Sequence, residues 1–372
     1  MNEQRLAIFM SFSGEGGVEH MVMNLLDEFC NYPLEIDLLT IRANSRHLRQ
    51  LDDRIRWLPF KSTHALTSIP ELVKYLRRNP PAAMLAVKDR AGRAAIMARW
   101  IAGAKTRLAV RLGTHLSASL TQRPPWQRWS RTWAMPLLYK GTDLVIAISQ
   151  GVAEDTHRLT GLPMKRIRVI RNPVITGALL RLSAEPVPHA WLSEDRPCPV
   201  IMGAGRLTHQ KDFPTLLKAF AVLRQQRPLR LIILGEGKER STLEALACEL
   251  GIEEDLLLPG FQENPYRWMA RADLFALSSR WEGSGNVLTE AMALGVPVVS
   301  TNCPSGPGEM LQDGRIAPLV PVGDSQSLAE AMANVLASPP DTHLVHQAVQ
   351  DYTAEISAFQ YLKALGLQPE SS

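Results

Sequence analysis

The sequence predicts an α/β protein built from two doubly wound domains, each a parallel sheet with helices on both faces. Short apolar runs alternate with amphipathic stretches along the chain, and the whole series occurs twice. At 372 residues the chain is longer than one hydrophobic core usually supports. A proline-rich stretch without sustained periodicity separates the two series and indicates a linker after residue 173.

The predicted elements follow one another in a regular order. Strands of the first half are expected at Leu6–Phe12, Leu34–Thr40, Ala82–Val87, Leu108–Val110 and Leu144–Ile148. Helices between them are expected at Glu19–Phe29, Arg90–Ala102 and Ser149–Leu159. The second half has strand patterns at Pro199–Gly203, Leu229–Leu234, Asp255–Leu258, Leu274–Leu277 and Val296–Ser300. Its helical patterns are Phe213–Gln225, Arg240–Leu250 and Val287–Leu294.

These elements define the expected domains. The first domain comprises residues 1–173 and the second residues 174–341, and a helical segment at 342–372 could pack back on the first domain. Ligands of open α/β sheets bind at the carboxyl ends of the strands, so the site is expected in a cleft between the two domains.

Composition narrows the class of protein. No apolar run approaches the ~20 residues of a membrane-spanning helix, and the first one lacks the flanks of a signal peptide. The four cysteines are far apart and have no metal-ligand spacing, so we expect free thiols in a reducing cytoplasm and no metal site. Residues 1–173 carry 26 Lys/Arg and 14 Asp/Glu, a balance of +12, whereas the remainder balances at −8. This asymmetry indicates either an anionic partner for the first half or a solvated basic surface.

Three glycine-rich turns, at 13–17, 203–205 and 235–237, each follow a predicted strand. The first contains Gly16 and Gly17 and opens a helix, an arrangement that suits phosphate binding, although each turn alone is more typical of a tight βα connection. None completes the GxGxxG dinucleotide pattern or a Walker loop, which disfavours a dehydrogenase or a kinase. The residues in place of the third glycine are Glu19, Thr208 and Arg240.

The second half concentrates residues suited to a diphosphate. Arg206 and Lys211 follow the strand that ends near Gly205 and could neutralise a diphosphate without a metal, or they could be exposed basic residues. Glu282 is predicted in the next glycine-bearing loop, and Glu290 about one turn inside the helix that follows it. That helix would begin near Asn286, so the amides around Asn286, Val287 and Leu288 would face an anion. Glu290 could also be an ordinary helix-surface acid.

In these motifs the chain resembles family 4 of the retaining glycosyltransferases, which have the GT-B fold. The resemblance is carried by the E-x7-E spacing from Glu282 to Glu290, the Gly-Arg-Leu…Lys element at 205–211 and Gly16-Gly17 in the first loop. The stretches 302–311 and 318–324 look like the members that build bacterial surface polysaccharides such as lipopolysaccharide, capsule or exopolysaccharide. The resemblance covers nearly the whole chain and is strongest from 200 to 330.

The resemblance implies a role for each matching residue. Arg206 and Lys211 would bind the donor diphosphate, Glu290 the nucleotide ribose and Glu282 the hydroxyls of the donor sugar. Gly16 and Gly17 would let the first loop approach the phosphates. His115 would lie close to the transferred sugar, although a single histidine after a strand is more often structural.

The predicted reaction is transfer of a sugar from a UDP- or GDP-sugar with retention of anomeric configuration, with no metal or other cofactor. A double-displacement mechanism needs two carboxyl groups about 5 Å apart at the anomeric carbon. One of the two glutamates is expected to bind the ribose, which leaves a single carboxylate near the sugar. We therefore favour attack by the acceptor on the face from which the phosphate leaves, assisted by that phosphate.

The acceptor is expected to be a saccharide or a lipid-linked saccharide. Trp126, Trp129, Trp133 and Leu137 fall on one helical stripe. This stripe either lies on an anionic membrane, at the inner face of the plasma membrane, or is the buried face of an ordinary helix.

Two other functions are compatible with parts of the sequence. A sugar-nucleotide epimerase could use the same architecture, but no acid–base pair for it is evident. A non-catalytic polyanion-binding protein would fit the basic first half, but no nucleic-acid-binding motif is present, so nucleic acid is not an expected partner.

Overall fold

The computed structural model describes residues 4–12, 17–43, 48, 51–117, 135–186 and 189–367. They form two compact units. The first comprises the chain up to Pro173 together with the residues from Thr353 onward, and the second runs from Val174 to Tyr352. The segment 342–372, which the sequence analysis treats as one, is therefore divided between the two units.

The first unit contains a seven-stranded parallel sheet in the order β3-β2-β1-β4-β5-β6-β7. Its strands are β1 Gln4–Phe12, β2 Leu34–Ala43, β3 Ile55–Pro59, β4 Ala83–Val87, β5 Arg107–Leu112, β6 Leu144–Ala147 and β7 Ile167–Val169. The described helices are α1 Gly17–Phe29, α2 Ile69–Arg78, α3 Asp89–Ala102 and α4 Gln150–Thr160, with α13 Ala354–Leu365 at the C-terminal end.

Both faces of this sheet are buried. Successive residues of a strand point to opposite sides, so each strand contributes side chains to two cores. Ala7 and Phe9 of β1 belong to the core beneath α2, α3 and α4. Ile8 and Met10 belong to the opposite core, which contains residues of α1 and α13. Tyr361 of α13 is fully buried there, so the C-terminal helix is part of the first unit's core.

The second unit contains a six-stranded parallel sheet in the order β10-β9-β8-β11-β12-β13. Its strands are β8 Val200–Ala204, β9 Arg230–Leu234, β10 Leu256–Leu257, β11 Leu274–Leu277, β12 Val298–Thr301 and β13 Leu319–Val320. Its helices are α5 Gly177–Ser183, α6 Phe213–Arg224, α7 Arg240–Leu250, α8 Tyr266–Met269, α9 Asn286–Ala293, α10 Pro307–Met310, α11 Ser325–Ala337 and α12 Thr342–Val349. The prediction of two doubly wound parallel-sheet domains is thus confirmed.

The expected linker after residue 173 is wrong in part. Residues 177–183 form α5, whose Leu179 is fully buried, and Leu192 is buried in the same core. Prolines break the periodicity of this stretch in the sequence, but its leucines have an apolar core to enter once the second sheet has formed. Seven further elements in the described part of the chain were not predicted from the sequence: β3, β7, β13, α2, α8, α10 and α11.

Candidate active site

The order of strands in the second sheet reverses between β8 and β11. Chain connections leave these two strands in opposite directions along the sheet, and this opens a crevice at their carboxyl ends where α/β proteins bind ligands. The loops that follow β8 and β11 contain Arg206, Lys211 and Glu282. The predicted diphosphate-binding and sugar-binding residues therefore lie at the switch point of the sheet.

Lys211 and Glu282 form the central ion pair of this edge. The Lys211 Nζ lies 2.7 Å from the Glu282 Oε1, and both side chains are largely buried. The Ser279 hydroxyl donates to the same carboxylate oxygen at 2.7 Å, and the Ser278 hydroxyl donates to the Lys211 carbonyl at 2.8 Å. The two serines hold both members of the pair in place. No sequence signal marks these two serines, because serines after a strand are common in turns.

Gly205 creates the space that Lys211 occupies. Its φ of 148° is a backbone conformation that residues with a side chain rarely adopt. A Cβ atom at this position would stand 2.7 Å from the Lys211 Cε. The glycine turn at 203–205 is therefore a packing requirement of the lysine, and not only a tight connection between strand and helix.

The loop after β11 is fixed by β12 and the residues that follow it. The buried Thr301 hydroxyl donates to the Ser279 carbonyl at 2.6 Å. Cys303 is buried beside the ion pair, where burial and the neighbouring Glu282 carboxylate raise the pKa of its thiol to about 12. The thiol thus stays protonated and acts as a small apolar neighbour, which only the tertiary structure reveals.

Helix α9 begins at Asn286, with Gly285 as its N-cap in the left-handed conformation at φ 75°. The Leu288 amide donates to the Gly285 carbonyl at 2.8 Å. The expectation that Leu288 offers a free amide to an anion is therefore wrong, since the tight first turn uses that donor internally. Of the three predicted amides, those of Asn286 and Val287 belong to the first two positions of the helix.

Glu290 lies on the fifth position of α9, on the side of Lys211. Burial raises the pKa of its carboxyl to about 7, and the Lys211 ammonium opposes this shift. The neighbouring Tyr266 of α8 has a phenol whose pKa is raised, first by burial and then by the Glu290 carboxylate. Glu290 is therefore not an ordinary surface acid, and Tyr266 is a neighbour that the sequence analysis missed.

Arg206 differs from Lys211 in its surroundings. Its side chain is exposed, and it has no ion pair or side-chain hydrogen bond with another residue in the described part of the chain. The second unit thus brings together Lys211, Glu282 and Glu290 and leaves Arg206 at the rim of the same edge. This cluster can offer cations to a diphosphate and carboxylates to hydroxyl groups.

Two predicted residues of the first unit, Gly17 and His115, lie at the carboxyl edge of its own sheet. His115 follows β5, and its Nδ1 lies 3.8 Å from the Oδ1 of buried Asp155. Burial alone would raise the pKa of Asp155, but hydrogen bonds from Ser117 and Arg158 and the nearby His115 lower it below its usual range. Asp155 is therefore an ionised carboxylate close to the imidazole. Gly17 is the first residue of α1, and Gly16 lies outside the described residues.

Trp126, Trp129 and Trp133 also lie outside the described residues, whereas Leu137 of the same predicted stripe is 70% exposed. No helix among the described residues is both long and apolar enough to span a bilayer. In the same part of the chain, no three His, Cys, Asp or Glu side chains are grouped as metal ligands.

Comparison with known proteins identifies the class. A family model described as "Glycosyl transferase 4-like domain" matches residues 16–173, and one described as "Glycosyl transferases group 1" matches residues 192–351. The chain is 30% identical over 353 residues to N-acetylgalactosamine-N,N'-diacetylbacillosaminyl-diphospho-undecaprenol 4-alpha-N-acetylgalactosaminyltransferase of Campylobacter jejuni, with 90% of each chain covered. It is 33% identical over 237 residues to the lipopolysaccharide core biosynthesis glycosyltransferase LpsE of Rhizobium meliloti, covering 62% of this chain and 66% of LpsE.

Solved structures show the same fold. Anabaena HepE in complex with UDP superposes with a TM-score of 0.78 at 22% identity, covering 97% of this chain and 99% of HepE. The chain therefore belongs to family 4 of the glycosyltransferases and has their GT-B fold, as the sequence motifs predicted. It is a glycosyltransferase with relatives in the synthesis of cell-surface glycans.

Proposed function

We propose that this enzyme transfers a sugar from a UDP- or GDP-sugar to a saccharide or lipid-linked saccharide acceptor of a cell-surface glycan, with retention of configuration and without a metal. The observation that carries the proposal is the Lys211–Glu282 pair at the switch point of the second sheet, with Glu290 near enough for the lysine charge to act on its carboxyl. HepE, which binds UDP, supports a nucleotide donor. The Campylobacter relative, which acts on a diphospho-undecaprenol-linked saccharide, supports the acceptor class.

The donor would be held by charge and by backbone dipoles. Lys211, Arg206 and the Val287 amide would neutralise the diphosphate and the charge that grows on it as the glycosidic bond breaks. The ribose hydroxyls would donate to Glu290 and the sugar hydroxyls to Glu282. On donor binding, Lys211 would exchange part of its contact with Glu282 for the phosphate, which leaves that carboxylate free to accept from the sugar.

Retention is what the family resemblance implies, and the number of available carboxylates favours same-face attack over a covalent intermediate. A covalent intermediate needs one carboxylate as nucleophile and a second group as acid and base. Glu282 accepts from Ser279 and is assigned to the sugar hydroxyls, and Glu290 is assigned to the ribose. The acceptor hydroxyl would therefore attack from the face that the diphosphate leaves, and the departing phosphate would take its proton. The role of His115 near the transferred sugar remains a proposal from the family resemblance.

The test begins with the thermal shift of the wild-type enzyme in a panel of UDP- and GDP-sugars. The nucleotide sugar that stabilises the protein is then supplied with membrane-derived acceptor, and the product anomer is read by NMR. We expect the donor's anomeric configuration in the product; an inverted product rules out the proposed mechanism. Metal independence is checked by repeating the transfer in excess EDTA, where unchanged activity is expected.

Lys211→Met tests the cluster itself. Loss of one charge-assisted contact to the diphosphate is expected to weaken donor binding about tenfold or more, since such contacts contribute roughly 1.5–3 kcal/mol. The matched control is Lys218→Met, an exposed lysine on α6 of the same unit. Equal donor affinity in the two variants would contradict the assignment of the diphosphate to Lys211.

A further inference from the structure

The first sheet has a switch point of its own. Its strand order reverses between β1 and β4, so the crevice opens where these two strands end. Glu19, in the first turn of α1 after β1, and Lys88, the residue after β4, meet at this point. Glu19 and Lys88 thus occupy the same position in the first sheet as Lys211 and Glu282 in the second. Neither Glu19 nor Lys88 has a role in the proposed donor site.

The pair consists of a buried carboxylate and an accessible ammonium. The Lys88 Nζ lies 3.0 Å from the Glu19 Oε1, with the Glu19 side chain 5% exposed and the Lys88 side chain 41% exposed. An ammonium group has three N–H donors, and Glu19 uses one of them. The carboxylate thus anchors the lysine, while the remaining donors of Lys88 can reach a ligand in solvent.

The backbone of Lys88 is held in a conformation that disfavours a side chain. Its φ of 77° and ψ of 151° lie in a region populated almost only by glycine, which costs about 1–3 kcal/mol. The backbone is fixed there because the Lys88 amide donates to the Arg111 carbonyl at 3.0 Å and its carbonyl accepts from the Gly92 amide at 3.0 Å. A glycine would satisfy the same hydrogen bonds without strain, so the requirement at this position is the lysine side chain.

Arg111 places a second cation at the same edge. It is the fifth residue of β5, the strand beside β4, and it is only 1% exposed. Its Nη2 donates to the Asn172 side-chain oxygen at 2.6 Å, but its Nε and Nη1 have no partner in the described part of the chain. A Cβ atom at Gly113 would stand 2.7 Å from the Nη1, so the guanidinium lies directly against the loop that carries His115. A buried guanidinium without a carboxylate partner makes this edge favourable for an anion.

We propose that Lys88 and Arg111 form an anion site that binds a phosphoryl group of the acceptor. Lys88 contacts the phosphoryl oxygens, Glu19 positions Lys88, and Arg111 contributes its charge from beneath the loop. With one carboxylate and two cations, the cluster of Glu19, Lys88 and Arg111 keeps one positive charge in excess. The inference rests on the proposed function and names its acceptor class: a phosphorylated or diphosphate-linked saccharide, and not a neutral sugar.

The direct test measures binding of inorganic pyrophosphate to the full-length protein by calorimetry. The background variant is R206M/K211M, which removes the two cations assigned to the donor diphosphate. We expect it to bind pyrophosphate, with a dissociation constant that rises at least tenfold when E19Q/K88M is added. The double substitution avoids an unpaired buried Glu19, and thermal unfolding verifies that each variant folds. Adding K88R instead should preserve binding, as should K74M, which changes an exposed lysine on α2.

Two results would overturn the inference. One is the absence of pyrophosphate binding in R206M/K211M, or binding that E19Q/K88M does not alter. The other is a loss of nucleotide binding. Whichever of UDP and GDP stabilises the wild type is expected to stabilise E19Q/K88M equally. If that stabilisation is lost in E19Q/K88M, Glu19 and Lys88 belong to the donor site and not to an acceptor site. If neither nucleotide stabilises the wild type and no sugar is transferred, the proposed function fails, while the pyrophosphate measurement still decides whether the anion site exists.

Discussion

Substitution of Glu290 by glutamine is expected to stabilise the enzyme at alkaline pH and to destabilise it by about 1 kcal/mol at acidic pH, where the cost of burying the amide is not offset. The native pKa of about 7 lies above the ordinary value of 4.5, because burial disfavours the charged carboxylate. An acid with a raised native pKa destabilises the folded state when it ionises. The cost is therefore absent below pH 4.5, grows between pH 4.5 and 7, and is complete above pH 7.

The magnitude follows from the two pKa values. At about 1.4 kcal/mol per pH unit, the interval from 4.5 to about 7 corresponds to about 3 kcal/mol of lost stability above pH 7. Burying the glutamine amide without full hydrogen bonding offsets about 1 kcal/mol of the gain. A net gain of about 2 kcal/mol in unfolding free energy remains above pH 7. This gain raises the thermal unfolding midpoint of a unit of this size by roughly 4–8 °C.

The assay is calorimetric unfolding of wild type and Glu290→Gln at pH 5 and pH 8. Glu249→Gln on α7 is the matched control, because Glu249 is an exposed acid of the same unit. A midpoint difference between Glu290→Gln and wild type that is the same at both pH values would refute the reasoning. The same variant should bind donor about tenfold more weakly at pH 8, since a carboxylate is the stronger acceptor for ribose hydroxyls. Wild-type donor affinity should accordingly rise as the pH increases through 7.

Three further substitutions test the supports of the site. Gly205→Ala should displace the Lys211 side chain and lower donor affinity, seen as a smaller thermal shift with nucleotide sugar, because a Cβ atom would stand 2.7 Å from the lysine Cε. Thr301→Val should destabilise the second unit by about 1–2 kcal/mol in urea unfolding and weaken donor binding, as it removes the donor to the Ser279 carbonyl. Leu179→Ala should cost about 2–5 kcal/mol in the same assay, since this side chain is fully buried in the core of the second unit. An unaltered unfolding midpoint for Leu179→Ala would show that residues 177–183 are a linker after all.

The amino-acid sequence by itself determined the class of fold and the reaction class. Runs of apolar residues reveal strands buried on both faces, and all ten strands predicted from them exist in the structure. The spacing between Glu282 and Glu290 is equally visible, because both lie on one loop and the helix that follows it. Helix α9 begins at Asn286, where the pattern predicts its start. These features depend on neighbours in sequence, which periodicity and motifs record.

Only the tertiary structure decided which side chains share an environment. The Lys211–Glu282 pair joins residues 71 positions apart, and the Lys88–Glu19 pair joins residues 69 positions apart, so no local pattern signals either of them. The raised pKa of Glu290 depends on burial, which no helical period reveals for a single acid. The same reason explains why residues 177–183 resembled a linker: their leucines become core residues only when the second sheet provides a surface to cover.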